Sequence, residues 1–358
     1  MEPAEPFIVL VVNPGSTSTK IALSKNGVMT KRETFQHDAD FLRQYDSVWG
    51  QFPDRLRLCT AWAKENVQAC SAVVSLGGLL RPVPGGTYTI SETMLNDARK
   101  NIQGEHASNL GCALAHHLAR EFSCPAFVVD PVSVDEFEPM AFYSGHPLIR
   151  RNSLSHALSI HAAAYRAARD LKRPVASTSF VICHLGGGIS IAPVRGGKII
   201  DVNDAASDGP FSPERTGSLP LQPFLRLCFS GKYSEDDIRH MVMGSGGLVA
   251  YLGSNSVVEI ERRIGEGDPK AEEVLRAMAY QIGKEIGAMA TVLAGAVDAI
   301  VLTGGIANSK TLTSWIADRV KFIAPVVIQT GHDEMQALID GALRILRREE
   351  KAKEYADD

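Results

Sequence analysis

Phe7 to Leu23 reads FIVLVVNPGSTSTKIAL, and Phe180 to Val202 reads FVICHLGGGISIAPVRGGKIIDV. Each stretch places a glycine-rich turn between two apolar runs that have the composition of β-strands. Glycine lets a ligand approach the backbone closely, and exposed backbone amides in such turns bind phosphate. Two units of this kind, about half a chain apart, predict one fold used twice with a nucleotide held between the copies.

Composition narrows the class of protein. The chain has 358 residues, of which 45% are hydrophobic and 22% charged, as expected for a soluble enzyme of two domains. The net charge of -4 argues against a nucleic-acid or membrane-surface partner. No apolar run is long enough to cross a membrane, and the start MEPAEPF does not resemble a secretion signal. The six cysteines form no CxxC pair, which favours free thiols and a cytoplasmic location.

Strand-like and helix-like segments alternate along the chain, and this pattern predicts an α/β fold. We expect a first domain over residues 1–150 and a second over 151–335, with a closing amphipathic helix at about 336–358 that packs back on the first domain. Helices are predicted over Asp40–Trp49, Leu221–Met243 and Val257–Ala294. The long segment Asn203–Pro223 lacks periodicity, and such segments inside compact domains are often functional.

Two common phosphate-binding motifs are absent from the sequence. The Gly-Lys pairs are followed by Ile199, Tyr233 and Glu285, so none completes a P-loop. The Gly244-Ser245-Gly246 stretch carries Val249 where a dinucleotide-binding motif needs glycine. A nucleotide site in this chain therefore uses neither a P-loop nor a dinucleotide-binding glycine motif.

An ordered series of segments between Ile8 and Arg348 resembles the butyrate kinase branch of the acetate and butyrate kinase family. The segments are VVNPGSTSTKIAL, GGLLRPVPGGTY, HASNLG, VDPVSVDEFEP, SHAL, HLGGGIS, DGPFSPERTGSLP, VDAIVLTGGIANS and DEMQALIDGALRIL. The resemblance implies a duplicated actin-like, ribonuclease H-like α/β fold of two domains with an interdomain cleft. It also implies reversible, ATP-dependent and Mg²⁺-assisted phosphorylation of a short-chain carboxylic acid to an acyl phosphate, with ADP as the other product. Homodimers or larger assemblies are implied as well.

The chemistry of that reaction calls for positive charge rather than a general base. A carboxylate is already ionised at neutral pH, and it must approach a phosphoryl group that is itself negative. Cations and hydrogen-bond donors aimed at the phosphoryl group are therefore required. The resemblance places Arg215, His156 and His106 in catalytic roles. It also places Asp130 there, either as a Mg²⁺ ligand or as the partner of an arginine.

The nucleotide side of the predicted site is distributed over three turns. In the first turn Asn13 would approach the γ-phosphate or the metal, assisted by Ser16, Ser18 and Lys20. In the second turn Gly186, Gly187 and Gly188 would approach the β-phosphate, and the neighbouring His184 would orient the turn or contact phosphate. The third turn would contact adenosine and ribose, and it consists of Gly304, Gly305, Ile306 and Ala307. Glu334 resembles a metal-linked glutamate of the family, and the adjacent Asp333 competes for that role.

The acceptor side departs from the family pattern. Leu76 stands beside Gly77 where the family carries an arginine, and Asn152 stands where the family carries a lysine or histidine. Arg81 lies five residues further on and could replace the missing cation at the substrate carboxylate. These departures leave open a nucleotide-binding paralogue with weakened catalysis. A sugar kinase of the same superfamily is a separate alternative, and it would need an aspartate base such as Asp130.

Overall fold

The computed structural model describes residues 6–331 and 334–355. Its strands, in chain order, are β1 (Ile8–Pro14), β2 (Ser18–Lys25), β3 (Val28–Gln36), β4 (Ala72–Ser75), β5 (Thr87–Thr89), β6 (Ala126–Val129), β7 (Ser179–Leu185), β8 (Ile189–Arg195), β9 (Lys198–Ile199), β10 (Ala299–Thr303) and β11 (Val326–Gln329). Its α-helices are α1 (Ala39–Leu42), α2 (Phe52–Asn66), α3 (Glu92–Arg99), α4 (Leu110–Glu121), α5 (Ala157–Asp170), α6 (Leu221–Cys228), α7 (Glu235–Val242), α8 (Gly247–Leu252), α9 (Val257–Gly265), α10 (Pro269–Val292), α11 (Lys310–Val320) and α12 (Glu334–Leu346). In this part of the chain no helix is both long and apolar enough to span a membrane.

The chain divides into two compact units. Residues 6–134 and 334–355 belong to the first unit, and residues 135–331 belong to the second. The domain boundary predicted at residue 150 therefore differs from this division. Segment 135–150 goes with the second unit because its backbone and side chains bond there: Glu138 N donates to Ile200 O at 3.0 Å, and Arg195 pairs with Glu138 at 2.7 Å.

The first unit is built on a six-stranded sheet with the order β3-β2-β1-β4-β6-β5. Strands β1, β2 and β3 form an antiparallel meander, whereas β4 and β6 run parallel to β1. Alternation along β1 divides its side chains between the two faces of the sheet. Leu10 and Val12 belong to the apolar cluster shared with α2 and α4, and α12 packs across β1, β4 and β6.

The second unit repeats this topology. Its five-stranded sheet has the order β11-β10-β7-β8-β9, with β7, β8 and β9 antiparallel and β10 and β11 parallel to β7. Read from the other edge, this is the arrangement of β3, β2, β1, β4 and β6 in the first unit. Helix α10 packs against β8 and β7, and α5 packs against β7 and β10. The duplication inferred from the two glycine-rich stretches is therefore present in the sheets themselves.

Three predicted helices differ from the observed ones. Helix α1 covers only three residues of the expected Asp40–Trp49 helix, because Tyr45 bonds to Asp54 and Ser47 caps a separate short 3₁₀ turn. The expected Leu221–Met243 helix is divided into α6 and α7 by a loop in which Ser234 forms a capping box for α7. The expected Val257–Ala294 helix is divided at Gly267, where Asp268 caps α10 and Pro269 begins it.

Candidate active site

The first glycine-rich turn joins β1 to β2 in the first unit. Gly15 N donates to Ser18 O at 2.7 Å and closes the turn, and Asn13 lies directly opposite Lys20 in the antiparallel register. Opposed residues share a face of a sheet, and alternation places Ser18 on that face too. Ser16 is exposed at the tip of the turn. The structure thus brings the side chains of Asn13, Ser18 and Lys20 to one face.

Asn13 and Glu334, the two predicted metal-linked residues, are in contact. Asn13 Nδ2 donates to Glu334 Oε2 at 2.9 Å, and Glu334 stands in the first turn of α12. Carboxylate and amide oxygens suit Mg²⁺, which is usually held by one or two protein oxygens together with water and phosphate. No group of three or more His, Cys, Asp or Glu side chains gathers as a metal site in residues 6–331 and 334–355. This pair fits a phosphate-linked Mg²⁺ rather than a cage of protein ligands; Asp333, its predicted competitor, lies outside the described residues.

Two buried basic residues that the sequence analysis missed lie against the same turn. His37 Nε2 is 2.9 Å from Thr19 Oγ1, and Arg55 of α2 donates to the turn's carbonyl oxygens. Burial, and then the charge of Arg55, lowers the pKa of His37 to about 4. The signal was present in the sequence, because Arg55 is one helical turn before Cys59 on the apolar stripe of α2.

Asp130 follows β6 in a conformation that is rare for a residue with a side chain. Its φ of 41° lies in the left-handed region, and its side chain is buried. Gly86 N donates to Asp130 Oδ1 at 2.6 Å, and Asp130 N donates back to Gly86 O at 2.9 Å. These two bonds hold Asp130 in its conformation and tie it to the loop at Gly86.

On the predicted acceptor side, Arg81 is held by other residues of the first unit. Its Nε lies 2.7 Å from Asp97 Oδ2, and Tyr355 donates its hydroxyl to the same carboxylate at 2.9 Å. Leu76 is half-buried directly after β4, and Gly77 follows with a φ of 70°. Recruiting Arg81 to the place of the missing cation at Leu76 would therefore break its ion pair with a buried carboxylate.

His106 caps a 3₁₀ turn and is exposed. Ser108 N donates to His106 Nδ1 at 3.2 Å, and the Ser108 hydroxyl lies 2.8 Å from the same nitrogen. The ring is thus oriented by the turn that it caps. Its Nε2 is the atom that remains for a ligand, because Nδ1 is engaged.

In the second unit, the glycine turn between β7 and β8 lies against Arg215. Gly186 N donates to Gly188 O at 3.1 Å, and Ser212 Oγ donates to Gly187 O at 2.5 Å. A Cβ on Gly188 would stand 2.8 Å from Arg215 Cζ. Only glycine leaves room for the guanidinium at this point, so the turn and Arg215 form one structure.

The guanidinium of Arg215 is fixed by the loop that carries it. Arg215 Nη1 donates to Ala205 O at 3.0 Å, and its backbone exchanges bonds with Ser212. Burial lowers the pKa of Arg215, whereas the charges of Asp204 and Glu214 act in the opposite direction. An arginine remains protonated at any physiological pH, so a fixed positive charge faces the glycine turn.

His156 and His184 stack next to this turn. Their ring centroids are 4.1 Å apart with an interplanar angle of 18°, and His156 Nδ1 lies 2.9 Å from Ser190 Oγ. Burial, then the charges of His184 and Arg215, hold the pKa of His156 well below its usual range. Burial lowers the pKa of His184 to about 4. Both rings are therefore neutral near pH 7 and act as hydrogen-bonding groups beside a cation.

The third predicted turn lies next to the second. Gly304 follows β10, the parallel neighbour of β7, and its φ is 91°. A Cβ there would overlap the carbonyl oxygen of Leu185 and stand 2.9 Å from its carbonyl carbon, so glycine permits the close approach of the two turns. Gly305 begins a 3₁₀ turn and has open space around its Cα. Ligand sites in α/β sheets commonly form at the carboxyl ends of such adjacent strands.

The structure groups the predicted residues by unit. His156, His184, Arg215, Gly186–Gly188 and Gly304–Ala307 surround the ends of β7 and β10 in the second unit. The first unit carries Asn13, Ser16, Ser18, Lys20 and Glu334 at the first turn, and Asp130, Leu76, Gly77, Arg81 and His106 around β4 and β6. Within the second unit, a guanidinium, two neutral imidazoles and a glycine turn converge. This donor set is suited to a phosphoryl group.

Fold and donor set together define a phosphotransferase with a duplicated α/β core, and comparison with known proteins gives the family. A profile described as "Acetokinase family" matches residues 138–336. The chain belongs to the acetokinase family, which is a family of ATP-dependent kinases. The resemblance drawn from the sequence is therefore confirmed.

The relatives match over nearly their whole length. Over 352 residues the chain is 49% identical to "Probable butyrate kinase 2" of Caldanaerobacter subterraneus subsp. tengcongensis, covering 98% of this chain and 99% of the relative. Over 353 residues it is 46% identical to "Butyrate kinase 2" of Clostridium acetobutylicum, with 98% and 99% covered. These matches extend the family assignment to both units of the chain.

Solved structures share the fold. The acetate kinase of Porphyromonas gingivalis superimposes with a TM-score of 0.78 at 18% identity, covering 95% of this chain and 100% of that one. The acetate kinase of Entamoeba histolytica gives a TM-score of 0.76 at 15% identity, covering 94% and 99%. The predicted fold class, a duplicated actin-like α/β fold, is confirmed by these neighbours and by the two matching sheets.

Proposed function

We propose that this chain transfers the γ-phosphoryl group of ATP to butyrate or a short branched-chain acid, and that it catalyses the reverse reaction. The observation that carries the proposal is the donor cluster of the second unit, where Arg215 lies against Gly188 beside the stacked His156 and His184. The relatives described as butyrate kinases support the choice of acid.

The proposed reaction is balanced without a proton acceptor. A carboxylate oxygen forms a bond to the γ-phosphorus, the bond from that phosphorus to the β,γ-bridging oxygen breaks, and ADP leaves with the electron pair. Arg215 would bind the equatorial oxygens of the transferring group through its planar fork. His156 and His184, being neutral, would donate hydrogen bonds without a competing proton transfer. The curated relatives described as butyrate kinases give no support to the alternative of a weakened paralogue. A sugar kinase would need an aspartate base, which a carboxylate acceptor does not require.

The first unit would supply the remaining contacts of the nucleotide. Asn13 and Glu334 would hold Mg²⁺, which when bound supplies charge neutralisation on the phosphates. Ser16, Ser18 and Lys20 would donate to phosphate oxygens from the same turn. Gly304–Ala307 in the second unit would contact the nucleoside. We also propose that Asp130 and His106 serve the acceptor side, and that the working enzyme is a homodimer or larger assembly.

The experiment that tests the proposed function is an acyl-phosphate assay with Mg²⁺ and ATP across acetate, propionate, butyrate and isobutyrate. We expect the highest kcat/KM with butyrate or isobutyrate. ATP binding measured by calorimetry without turnover of any acid would instead indicate the weakened paralogue. A higher kcat/KM with acetate would support phosphorylation of a carboxylic acid and would refute butyrate or a branched-chain acid as the substrate.

The departure at Leu76 gives a further test of the acceptor side. Leu76→Arg restores a cation at the family position, where the ion pair with Asp97 keeps Arg81 from serving. We expect kcat/KM for butyrate to rise by about tenfold, because a positive charge favours approach of the carboxylate. An unchanged value would show that this position does not act on the acid.

A further inference from the structure

Arg55 is a fully buried cation whose neighbours are all neutral. Its side chain is 0% exposed, although arginine is almost never fully buried unless it is paired. In residues 6–331 and 334–355 no aspartate or glutamate forms an ion pair with it. Its acceptors are the carbonyls of the first turn, the Thr19 hydroxyl and the Gln51 amide. A buried charge with no counter-charge is costly, so its presence calls for a reason.

The guanidinium of Arg55 draws the carbonyls of the turn toward one side. Nη1 donates to Gly15 O at 2.8 Å, to Ser18 O at 3.3 Å and to Thr19 Oγ1 at 3.0 Å. Nη2 donates to Ser16 O at 3.4 Å. The carbonyls of three turn residues thus converge on a single side chain, which sets the shape of the turn.

Gln51 fixes the orientation of this fork. Its Oε1 accepts from Arg55 Nε at 3.1 Å and from Nη2 at 2.7 Å. Gln51 is itself buried, and it lies one helical turn before Arg55. A glutamate at this position would have nearly the same shape and would neutralise the guanidinium. Substituting Gln51 therefore changes the charge at Arg55 without changing its geometry.

Because Arg55 binds one face of the turn, the side chains that can donate hydrogen bonds to a ligand lie on the opposite face. Thr19 faces Arg55, so alternation along β2 places Ser18 and Lys20 on the other face, together with Asn13. His37, the other buried basic residue at the turn, is neutral near pH 7 because burial and Arg55 lower its pKa. Arg55 therefore places a buried positive charge under the turn, and this charge has the sign that attracts phosphate.

We propose that Arg55 is a positioning residue for the nucleotide phosphates: it shapes the turn 13–20 from beneath, and the phosphates on the other face provide its missing counter-charge. The inference rests on the proposed function in so far as the anion is that of ATP. Arg55 acts through the turn and is not itself a catalytic residue.

The decisive variant is Gln51→Glu, which keeps the fork in place and neutralises its charge. We expect the KM for ATP to rise at least about threefold, because the attraction for phosphate is lost, while the melting temperature stays equal or rises. The KM for butyrate, measured at saturating ATP, should change by less than about twofold. A raised melting temperature with an unchanged KM for ATP would overturn the proposal, because it would show a structural role alone.

A second variant tests the shape of the turn. Arg55→Lys keeps the charge but cannot reach several carbonyls at once, so we expect the KM for ATP to rise by about tenfold. Arg57→Lys on the same helix is the matched control, since Arg57 is exposed and pairs with Asp54 of the same helix. If Arg55→Lys does not fold, the result for Gln51→Glu decides the matter. An active Arg55→Lys enzyme with the wild-type KM for ATP would also overturn the proposal.

Failure of the proposed function would be recognised separately. A wild-type protein without turnover of any acid would refute that function. The dissociation constant of ATP with Mg²⁺, measured by calorimetry for the wild type, Gln51→Glu and Arg57→Lys, would still test Arg55. Weaker binding in Gln51→Glu alone would support the role of Arg55, and equal binding in all three would refute it.

Discussion

Arg215 owes its place in the site to the planar fork of its side chain as well as to its charge. Lysine retains the charge but cannot contact two oxygens of a phosphoryl group in a fixed geometry. We therefore expect Arg215→Lys to lower kcat by about 100-fold or more, in the range for loss of a preorganised transition-state donor. The measurement is steady-state kinetics with butyrate and ATP.

Arg226→Lys serves as the control for Arg215→Lys, because Arg226 lies exposed on α6. Its kcat should equal that of the wild type. A kcat for Arg215→Lys within about threefold of the wild type would contradict the assigned role.

Histidines whose pKa is lowered in the folded protein make its stability depend on pH, and His37 and His184 are two of them. Burial, assisted for His37 by Arg55, lowers the pKa of His37 and of His184 to about 4, against an ordinary value of 6.5. Below pH 6.5 the unfolded chain takes up protons that the folded protein refuses until about pH 4. The stabilisation is therefore complete above pH 6.5 and is lost as the pH falls toward 4.

Melting temperatures between pH 7 and pH 4 test this dependence. His37→Gln keeps a polar group beside Thr19 and removes one of the histidine rings with a lowered pKa, so its melting temperature should fall less steeply with acidification. An equally steep fall in the variant would show that other groups dominate the acid response. The charge of Asp38 acts in the opposite direction and raises the pKa of His37.

At the scale of the element, the turn between β7 and β8 contains two neighbouring glycines with different surroundings. A Cβ on Gly188 would stand 2.8 Å from Arg215 Cζ, whereas one on Gly187 would meet only Glu214 Oε2 at 3.8 Å. Neither glycine has a positive φ. Gly188→Ala should displace the guanidinium and lower kcat by about tenfold or more, while Gly187→Ala, which leaves Arg215 in place, should lower kcat less.

Melting temperatures distinguish this effect from a loss of fold. Displacing the guanidinium breaks its hydrogen bond to Ala205 O and moves no residue of the apolar core, so Gly188→Ala should melt close to the wild type. Equal kcat values for the two alanine variants would contradict the close packing of Arg215 on this turn.

A second pair of glycines tests the packing of two helices. In α12 a Cβ on Gly341 would meet Val129 Cγ1 at 2.5 Å, whereas in α10 a Cβ on Gly287 would meet no atom within 4 Å. We expect Gly341→Ala to destabilise the protein by about 1–3 kcal/mol through overpacking against β6. Gly287→Ala should stabilise it by up to about 1 kcal/mol, because alanine is the better helix former. Chemical denaturation measures both, and equal effects would contradict the packing of α12.

Strands and turns were easier to predict from the sequence than the extents of helices. Each glycine-rich hairpin can be predicted from a few consecutive residues, because apolar alternation and turn residues are local signals. The end of a helix depends on which residue caps it and on what packs beside it. Thus the bond from Tyr45 to Asp54 and the capping box at Ser234 both divide segments that look continuous in the sequence.

At the scale of the whole molecule, the duplication could be predicted because the same pattern occurs twice. The members of the site followed from motif resemblance, and the structure places many of them at the ends of β1, β7 and β10. Motif resemblance did not give Arg55; its place on the apolar stripe of α2 indicates burial, but its contacts with the turn lie 36 to 40 residues away along the chain. Arg81 likewise contacts Asp97 and Tyr355, which are distant along the chain, and no local sequence pattern predicts these contacts.

The contact between Asn13 and Glu334 spans 321 positions of the chain. Helix α12 belongs to the first unit, although the whole second unit is encoded before it. On the ribosome, residues 135–331 are therefore available to fold while the sheet of the first unit still lacks the helix that covers one of its faces. Asn13 gains its carboxylate partner only after residue 334 has emerged, so the pair assigned to Mg²⁺ is assembled late in synthesis.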